Sequence, residues 1–394
     1  MGLFEKCRNF TIVKETIEAG IYPYFTTVES SQETQVTVSG RRIIMIGSNN
    51  YLGLTTHPKV EEAAINAIKK YGSGCTGSRF LNGNLDIHHE LEQQLAQFMK
   101  KEAALVFSTG FQTNLGTIST LVQKGDGVFI DREDHASIVD GCRLSFGKIF
   151  KFKHNDIADL DRVLTEYGKE LKGRLIVIDG VYSIGGDIVR LPELVEVARK
   201  HAANILVDDA HSIGVLGKDG DGTASHFGLN NEVDITMGTF SKSFASLGGF
   251  IAGDKDVMNY IQHNARALIF SASMPPPAVA AALAALDIIE SEPERRERLA
   301  CIYTRMKKEF EQMGFDTGNS ETAIIPIKIG RNEDTFRFWK ELYDNGVYAN
   351  AIVSPAVPPG ESLMRTSYMA THTDEEMDQV LEVFRKTGKR LGIL

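Results

Sequence analysis

The segment GTFSKS (238–243) sets Lys242 directly after two hydroxyl residues, Thr239 and Ser241, and shortly before the glycine pair Gly248 and Gly249. A lysine that forms a Schiff base must lose its proton near neutral pH, which calls for neighbouring positive charge or little water. The flanking hydroxyls suit a phosphate. Taken alone, the same string also describes an exposed lysine in a serine-rich loop. In LVDDAHS (206–212), Asp208 closes an apolar run and His211 follows three residues on. An acid emerging there could hold a cationic ring nitrogen. The Asp208–Asp209 pair could equally bind magnesium, or simply end a strand.

FSTGFQTN (107–114) reads as a strand, a glycine turn and a helix start, with Gly110 and Phe111 at the turn. Free backbone N–H groups at such a helix start form an anion site without any basic side chain. Neither a GxGxxG fingerprint nor a Walker motif is present, so a nucleotide reading is poor. DREDHASIVDG (131–141) leaves His135 in a polar corner between strand and helix. There it could stack on an aromatic cofactor, cap the helix or sit on the surface. HHE (88–90) lacks the HExxH spacing and reads as structural. Each signal is weak alone. Together they supply an anion cradle, a flat ring, an acid and a Schiff-base lysine, all at strand ends.

Those corners need a scaffold that brings strand ends together. ALVFSTG, GVFIDRE, RLIVIDGVYS, NILVDDAHS, VDITMGTFSKS and GGFIAGD are apolar runs closed by polar or glycine-rich corners, with helical stretches such as LPELVEVARKHA between several of them. Strands apolar throughout and separated by helices predict an α/β fold: a mainly parallel sheet with helices on both faces. Such sheets bind ligands at the carboxyl ends of their strands. PKVEEAAINAIKKYG is helical, with Gly72 as its stop, and HHELEQQLAQFMKK is the next helix. Residues 1–50 read as an N-terminal arm with a short helix that breaks at Gly20 and Pro23. Residues 51–290 form the major domain. Residues 291–394 read as a smaller α+β domain, opening on a charged helix at about 293–313.

A chain of 394 residues suggests two or three structural units. Its net charge of −9 argues against a nucleic-acid partner, though not against a local basic pocket for an anionic ligand. Cys7, Cys75, Cys142 and Cys301 are scattered, so neither a disulfide framework nor a zinc site is expected. No apolar run reaches the roughly 18–20 residues that span a bilayer. The N-terminus MGLFEKCRNF carries charge where a secretory signal is apolar, and Lys6 stands where a myristoylation signal needs Ser or Thr. The expectation is a cytoplasmic protein.

The motifs SNNYLGL (48–54), YGSGCTGSRFLNG (71–83), DHASIVDG (134–141), VDDAH (207–211), GTFSKS and MRTSYMATHT (364–373) occur in an order that resembles the α-oxoamine synthase family of fold-type I pyridoxal-phosphate enzymes, over almost the whole chain. The resemblance implies that Lys242 holds pyridoxal 5'-phosphate and later acts as the base at an amino acid's α-carbon. It implies that Asp208 faces the ring nitrogen, that His211 and Ser183 bond the phenolic oxygen, and that His135 stacks on the ring. Gly110 and Phe111 amides, with Thr239 and Ser241, would hold the phosphate, and Ser271 would complete that site across a homodimer interface. Arg365 would clamp the substrate carboxylate, with Asn49 as helper. GIYPYF (20–25), GSRFLNG, GTFSK and the SPAVP loop resemble the branch that condenses L-serine with a long-chain acyl-CoA such as palmitoyl-CoA, releasing CoA and CO2 and giving 3-ketodihydrosphingosine. Rival readings are a synthase using glycine with acetyl-CoA or alanine with a pimeloyl thioester, a fold-type I lyase or aminotransferase, and a partner subunit that has lost its chemistry. A long-chain product suggests work near a membrane, where the N-terminal helix could touch lipid or else pack against the body.

Overall fold

The computed structural model describes residues 2–394. The chain divides into two compact units, Asn49–Ala300 and Met1–Ser48 with Cys301–Leu394. The larger unit is built on a seven-stranded sheet. Its spatial order is Ala103–Phe107, Gly249–Gly253, Ile235–Thr239, Asn204–Asp208, Arg174–Asp179, Gly127–Asp131 and Lys148–Phe152. Neighbours from Ile235–Thr239 through Lys148–Phe152 run parallel, while Gly249–Gly253 is antiparallel to both strands beside it. Gly127–Asp131, Ile235–Thr239 and Gly249–Gly253 are buried at every position, which is why their sequences are apolar without alternation.

Local signals set the helices around this sheet. Pro58–Tyr71 begins on a proline, where the missing N–H costs nothing, and stops at Gly72 with φ of 84°. Gly110–Leu121 is capped by Thr109, whose hydroxyl accepts from the Gln112 N–H at 3.1 Å. His88 lies fully buried in the helix Asp86–Phe98, its Nδ1 accepting from the Leu85 N–H and its Nε2 2.9 Å from the Met274 carbonyl. It is a core residue.

The smaller unit holds two three-stranded sheets. Gln35–Val38, Arg41–Met45 and Val347–Tyr348 form one, and Ile324–Gly330, Ser362–Ser367 and Asn350–Ile352 the other. The N-terminal segment read as a separate arm therefore groups with the C-terminal residues. Val36, Val38, Ile43 and Met45 share an apolar face that is buried with Met369, and an arm alone would leave that face in water. The division near residue 300 falls inside the helix Glu294–Met313, past the 290 boundary read from composition. A change of composition marks where a charged helix begins, not which core claims it. The expected N-terminal helix is two short ones, Glu5–Arg8 and Ile12–Glu18, neither of which buries a residue. Among the described residues, no helix is long and apolar enough to cross a membrane.

Candidate active site

The strand Ala103–Phe107 delivers the chain to Thr109 and Gly110, where the following helix starts and the Gly110 and Phe111 N–H groups have no partner within the helix ladder. Across from it, the strand Ile235–Thr239 ends on Thr239. The two elements touch: a Cβ on Gly110 would stand 2.6 Å from Thr239 Oγ1. Thr239 Oγ1 lies 3.0 Å from Ser241 Oγ and also donates to the Gly248 carbonyl. Gln112 Nε2 donates to Ser271 Oγ at 3.0 Å within the chain. Backbone N–H groups and four hydroxyl-bearing residues converge here, as a phosphate requires.

Asp208, at the end of its strand, is buried. Its Oδ1 accepts from the Ala210 N–H at 3.0 Å and its Oδ2 from Asn114 Nδ2 at 2.6 Å. His211 is buried beside it in sequence, its Nδ1 2.7 Å from the hydroxyl of Tyr51. His135 caps the helix Ala136–Leu144, and its Nδ1 accepts from the Ser137 N–H. The capping alternative is thus realised, and it leaves the ring face open. His135 is exposed as a residue, yet the protein around its ring desolvates it and pulls its pKa down; the charge of Asp208 opposes this and that of Lys242 adds to it. Lys242, half-buried in the turn after Thr239, therefore lies within electrostatic reach of His135, and it acts on Asp179 as well. Ser183 is half-buried in the turn after Arg174–Asp179, above the bridge between Val181 and Ile188.

Two further carboxyls brace the His135 corner. Asp179 Oδ2 accepts from the His135 N–H at 3.1 Å, and Asp134 Oδ1 from the Asp179 N–H at 2.9 Å. Burial holds both well above the usual carboxylate range; neighbouring charges add to this, chiefly Asp208 for Asp179 and Asp131 for Asp134. Asp209, weighed as a metal partner of Asp208, points elsewhere. Its Oδ2 accepts from the Thr223 N–H and its Oδ1 from the Thr223 hydroxyl, and burial pushes its pKa up to about 7. Among the described residues no group of three or more His, Cys, Asp or Glu is placed to hold a metal.

Of the residues singled out from sequence, Gly110, Phe111, His135, Ser183, Asp208, His211, Thr239, Ser241 and Lys242 belong to the larger unit at or just past its strand ends, and Ser271 belongs to it after the short helix Arg266–Ile269. Asn49 is in that unit too, its Oδ1 accepting from the Tyr51 hydroxyl at 3.4 Å. Arg365 belongs to the smaller unit, buried in the strand Ser362–Ser367 with Nη1 3.4 Å from Ser367 Oγ. Three residues escaped the sequence reading: Tyr51, Asn114 and Ser137. Asn114 was discoverable, because it stands four residues after Gly110 and so on the same helix face.

The donor set fits a phosphate-bearing pyridine aldehyde. A cradle too tight for a Cβ would take the phosphate, a buried carboxylate a ring nitrogen, and a half-buried lysine the aldehyde carbon. The chain belongs to the Aminotransferase class I and II family, whose model matches residues 41–384, and within it to the α-oxoamine synthases. It is 52% identical over 391 residues to a protein named serine palmitoyltransferase from Sphingobacterium spiritivorum, covering 99% of this chain and 98% of that one. A solved structure described as SPT with the PLP internal aldimine superposes with a TM-score of 0.97 at 37% identity, covering the whole of both chains. An 8-amino-7-oxononanoate synthase from Thermoanaerobacter pseudethanolicus is 42% identical, covering 98% of this chain and 99% of that one.

Proposed function

We propose that this protein is a pyridoxal-phosphate enzyme that condenses L-serine with a long-chain acyl-CoA such as palmitoyl-CoA. The products are 3-ketodihydrosphingosine, CoA and CO2, and the reaction opens sphingolipid synthesis. The whole-length likeness to serine palmitoyltransferases carries this reading, and the lower likeness to an 8-amino-7-oxononanoate synthase makes alanine with a pimeloyl thioester the runner-up. When bound, pyridoxal 5'-phosphate supplies an electron sink that makes an amino acid's α-proton removable.

The chain's own residues do the rest. The Gly110 and Phe111 amides, with Thr239, Ser241 and Ser271, hold the phosphate. Lys242 Nζ would hold the cofactor and would be the base for the amino acid's α-proton. Asp208 would offer its carboxylate to the ring nitrogen, His135 would stack on the ring face, and His211 with Ser183 would bond the phenolic oxygen. Arg365 fixes the serine carboxylate with its planar fork, and Asn49 assists. Two copies of the chain form a homodimer in the cytoplasm, with Ser271 serving the neighbouring site.

The test is a competition assay with serine, glycine and alanine against acyl-CoAs of short and long chain. Serine with palmitoyl-CoA is expected to give the highest kcat/KM. Faster turnover of alanine with a pimeloyl thioester, or of glycine with acetyl-CoA, would reassign the branch. Borohydride reduction and peptide mapping test the site separately, and the pyridoxyl group is expected on Lys242.

A further inference from the structure

Asn114 takes no part in the phosphate cradle, yet it is fully buried one helical turn past Gly110. Its Nδ2 stands 2.6 Å from Asp208 Oδ2 and 2.9 Å from Ser137 Oγ, while its Oδ1 has no hydrogen-bond partner among the described residues. Turning the amide over would set two acceptor oxygens against each other at the Asp208 contact, so the two Nδ2 hydrogens must point to Asp208 and Ser137. The Ser137 hydroxyl then accepts from Asn114, and its own hydrogen is left for His135 Nδ1, 2.7 Å away. The Ser137 backbone N–H points at the same Nδ1 at 3.3 Å. An Nδ1 that accepts from two donors carries no proton, and the neutral ring then bears its hydrogen on Nε2.

We infer that Asn114 and Ser137 are positioning residues, forming with Asp208 and His135 one chain of hydrogen bonds that runs outward from the Asn114 amide, to Asp208 on one side and through Ser137 to His135 on the other, and that this chain fixes His135 as the neutral Nε2–H tautomer. The inference rests on the roles proposed for Asp208 and His135. Its consequence is mutual alignment. The acid meant for the ring nitrogen and the imidazole meant for the ring face are held by the same two side chains, so neither can turn without disturbing the other. Ala210 N–H pins the second Asp208 oxygen, and Asp179 pins the His135 backbone. A neutral imidazole also adds no positive charge against a ring whose nitrogen is protonated. The charged groups facing His135 are Asp208 and Lys242, with Asp179 behind its backbone.

Nitrogen-15 NMR of the holoenzyme labelled on its histidine rings tests this, with His135→Asn assigning the signal. Wild type is expected to show an unprotonated Nδ1 and a protonated Nε2. Ser137→Ala removes the hydroxyl donor and leaves only the longer backbone N–H contact, so the signal should move toward a mixture of tautomers and the His135 titration should shift upward. kcat should fall about tenfold, one net hydrogen bond's worth, with KM for the amino acid moving less. Ser137→Thr, which keeps the hydroxyl, should restore the wild-type signal. If Ser137→Ala does not fold, Ser137→Cys offers the same test with a poor donor of similar size. An unmoved His135 signal in the variant without the hydroxyl overturns the inference, whatever the turnover. If His135→Asn leaves both turnover and the cofactor spectrum unchanged, the parent assignment of His135 fails, and the alignment role falls with it. A silent His135 signal with the parent roles intact sinks this inference alone.

Discussion

A Cβ added to Gly110 would stand 2.6 Å from Oγ1 of Thr239 and 2.9 Å from its Cβ, closer than real side chains approach. Two loops nearly 130 residues apart in sequence therefore meet with no room between them, and both offer phosphate donors. Thr239 cannot swing aside freely, because its hydroxyl is bonded to the Gly248 carbonyl. Gly110→Ala is expected to push the cradle open at an overpacking cost of about 1–3 kcal/mol. Titrating the apoenzyme with pyridoxal 5'-phosphate should show affinity weakened roughly tenfold or more. Wild-type affinity in this variant would remove the cradle from the phosphate site.

Asp208→Asn keeps the shape of the side chain and removes its charge. The melting temperature and bound cofactor should change little, while turnover should fall by roughly 10²–10³-fold, the usual loss when a preorganised charge contact is removed. Absorbance of the bound cofactor and steady-state rates check this together. Near wild-type turnover with full cofactor occupancy would contradict the assigned role.

The sheet and its active corners were legible because their signals are local. A strand buried on both faces is apolar at every position, and a polar corner after it marks a strand end. Lys242, Asp208, His135 and Gly110 each sit at such a corner, so listing the corners was nearly listing the candidate site. Asn114 and Ser137 lie inside helices; the spacing of Asn114 from Gly110 puts it on the cradle's helix face, but nothing local says what either side chain bonds. Ser137 lies beside His135 in sequence, but Asn114 is 94 residues from Asp208, and only the strand order brings those two together. The insertion of Gly249–Gly253 as an antiparallel strand between two others is likewise a matter of topology. The grouping of Gln35–Val38 and Arg41–Met45 with the C-terminal unit was hidden for the same reason, since Met369, buried with them, lies over 300 residues on.

Arg365 is buried in the smaller unit, and burying a guanidinium is costly unless it is bonded. A carboxylate received by its fork would supply two charged hydrogen bonds, worth about 1.5–3 kcal/mol each before desolvation. Arg365→Ala should therefore raise KM for the amino acid at least tenfold and leave KM for the acyl-CoA within about twofold. Arg365→Lys should recover only part of the loss, because the charge returns without the fork. Equal losses for both substrates would point to a disturbed fold.

His154 bears on stability and gives the structure a pH dependence with a definite sign. Its Nδ1 is 3.1 Å from Asp131 Oδ1 and its Nε2 is 3.1 Å from Asp187 Oδ2. Burial alone would pull its pKa down, but the hydrogen bonds and charges of Asp131 and Asp187 outweigh that and push it up to about 10. In the unfolded chain a histidine titrates near 6.5. The folded state thus binds this proton more tightly. The stabilisation is complete below about pH 6.5 and is lost as pH rises through about 10. His154→Gln, which cannot be charged, lacks that term. The difference in melting temperature between wild type and His154→Gln should be largest near pH 6 and close as pH approaches 10. Other lysines and tyrosines titrate alike in both proteins, so the difference isolates His154. The same cluster holds the strand ends around the His135 corner: Asp131 also accepts from the Asn155 and Glu133 backbone and from the Tyr182 hydroxyl. Loss of the charge should therefore loosen that corner first, seen as faster amide exchange at residues 131–137 above about pH 9 in wild type and at all pH in His154→Gln. A melting difference that stays constant from pH 6 to 10 would show that His154 is held neutral.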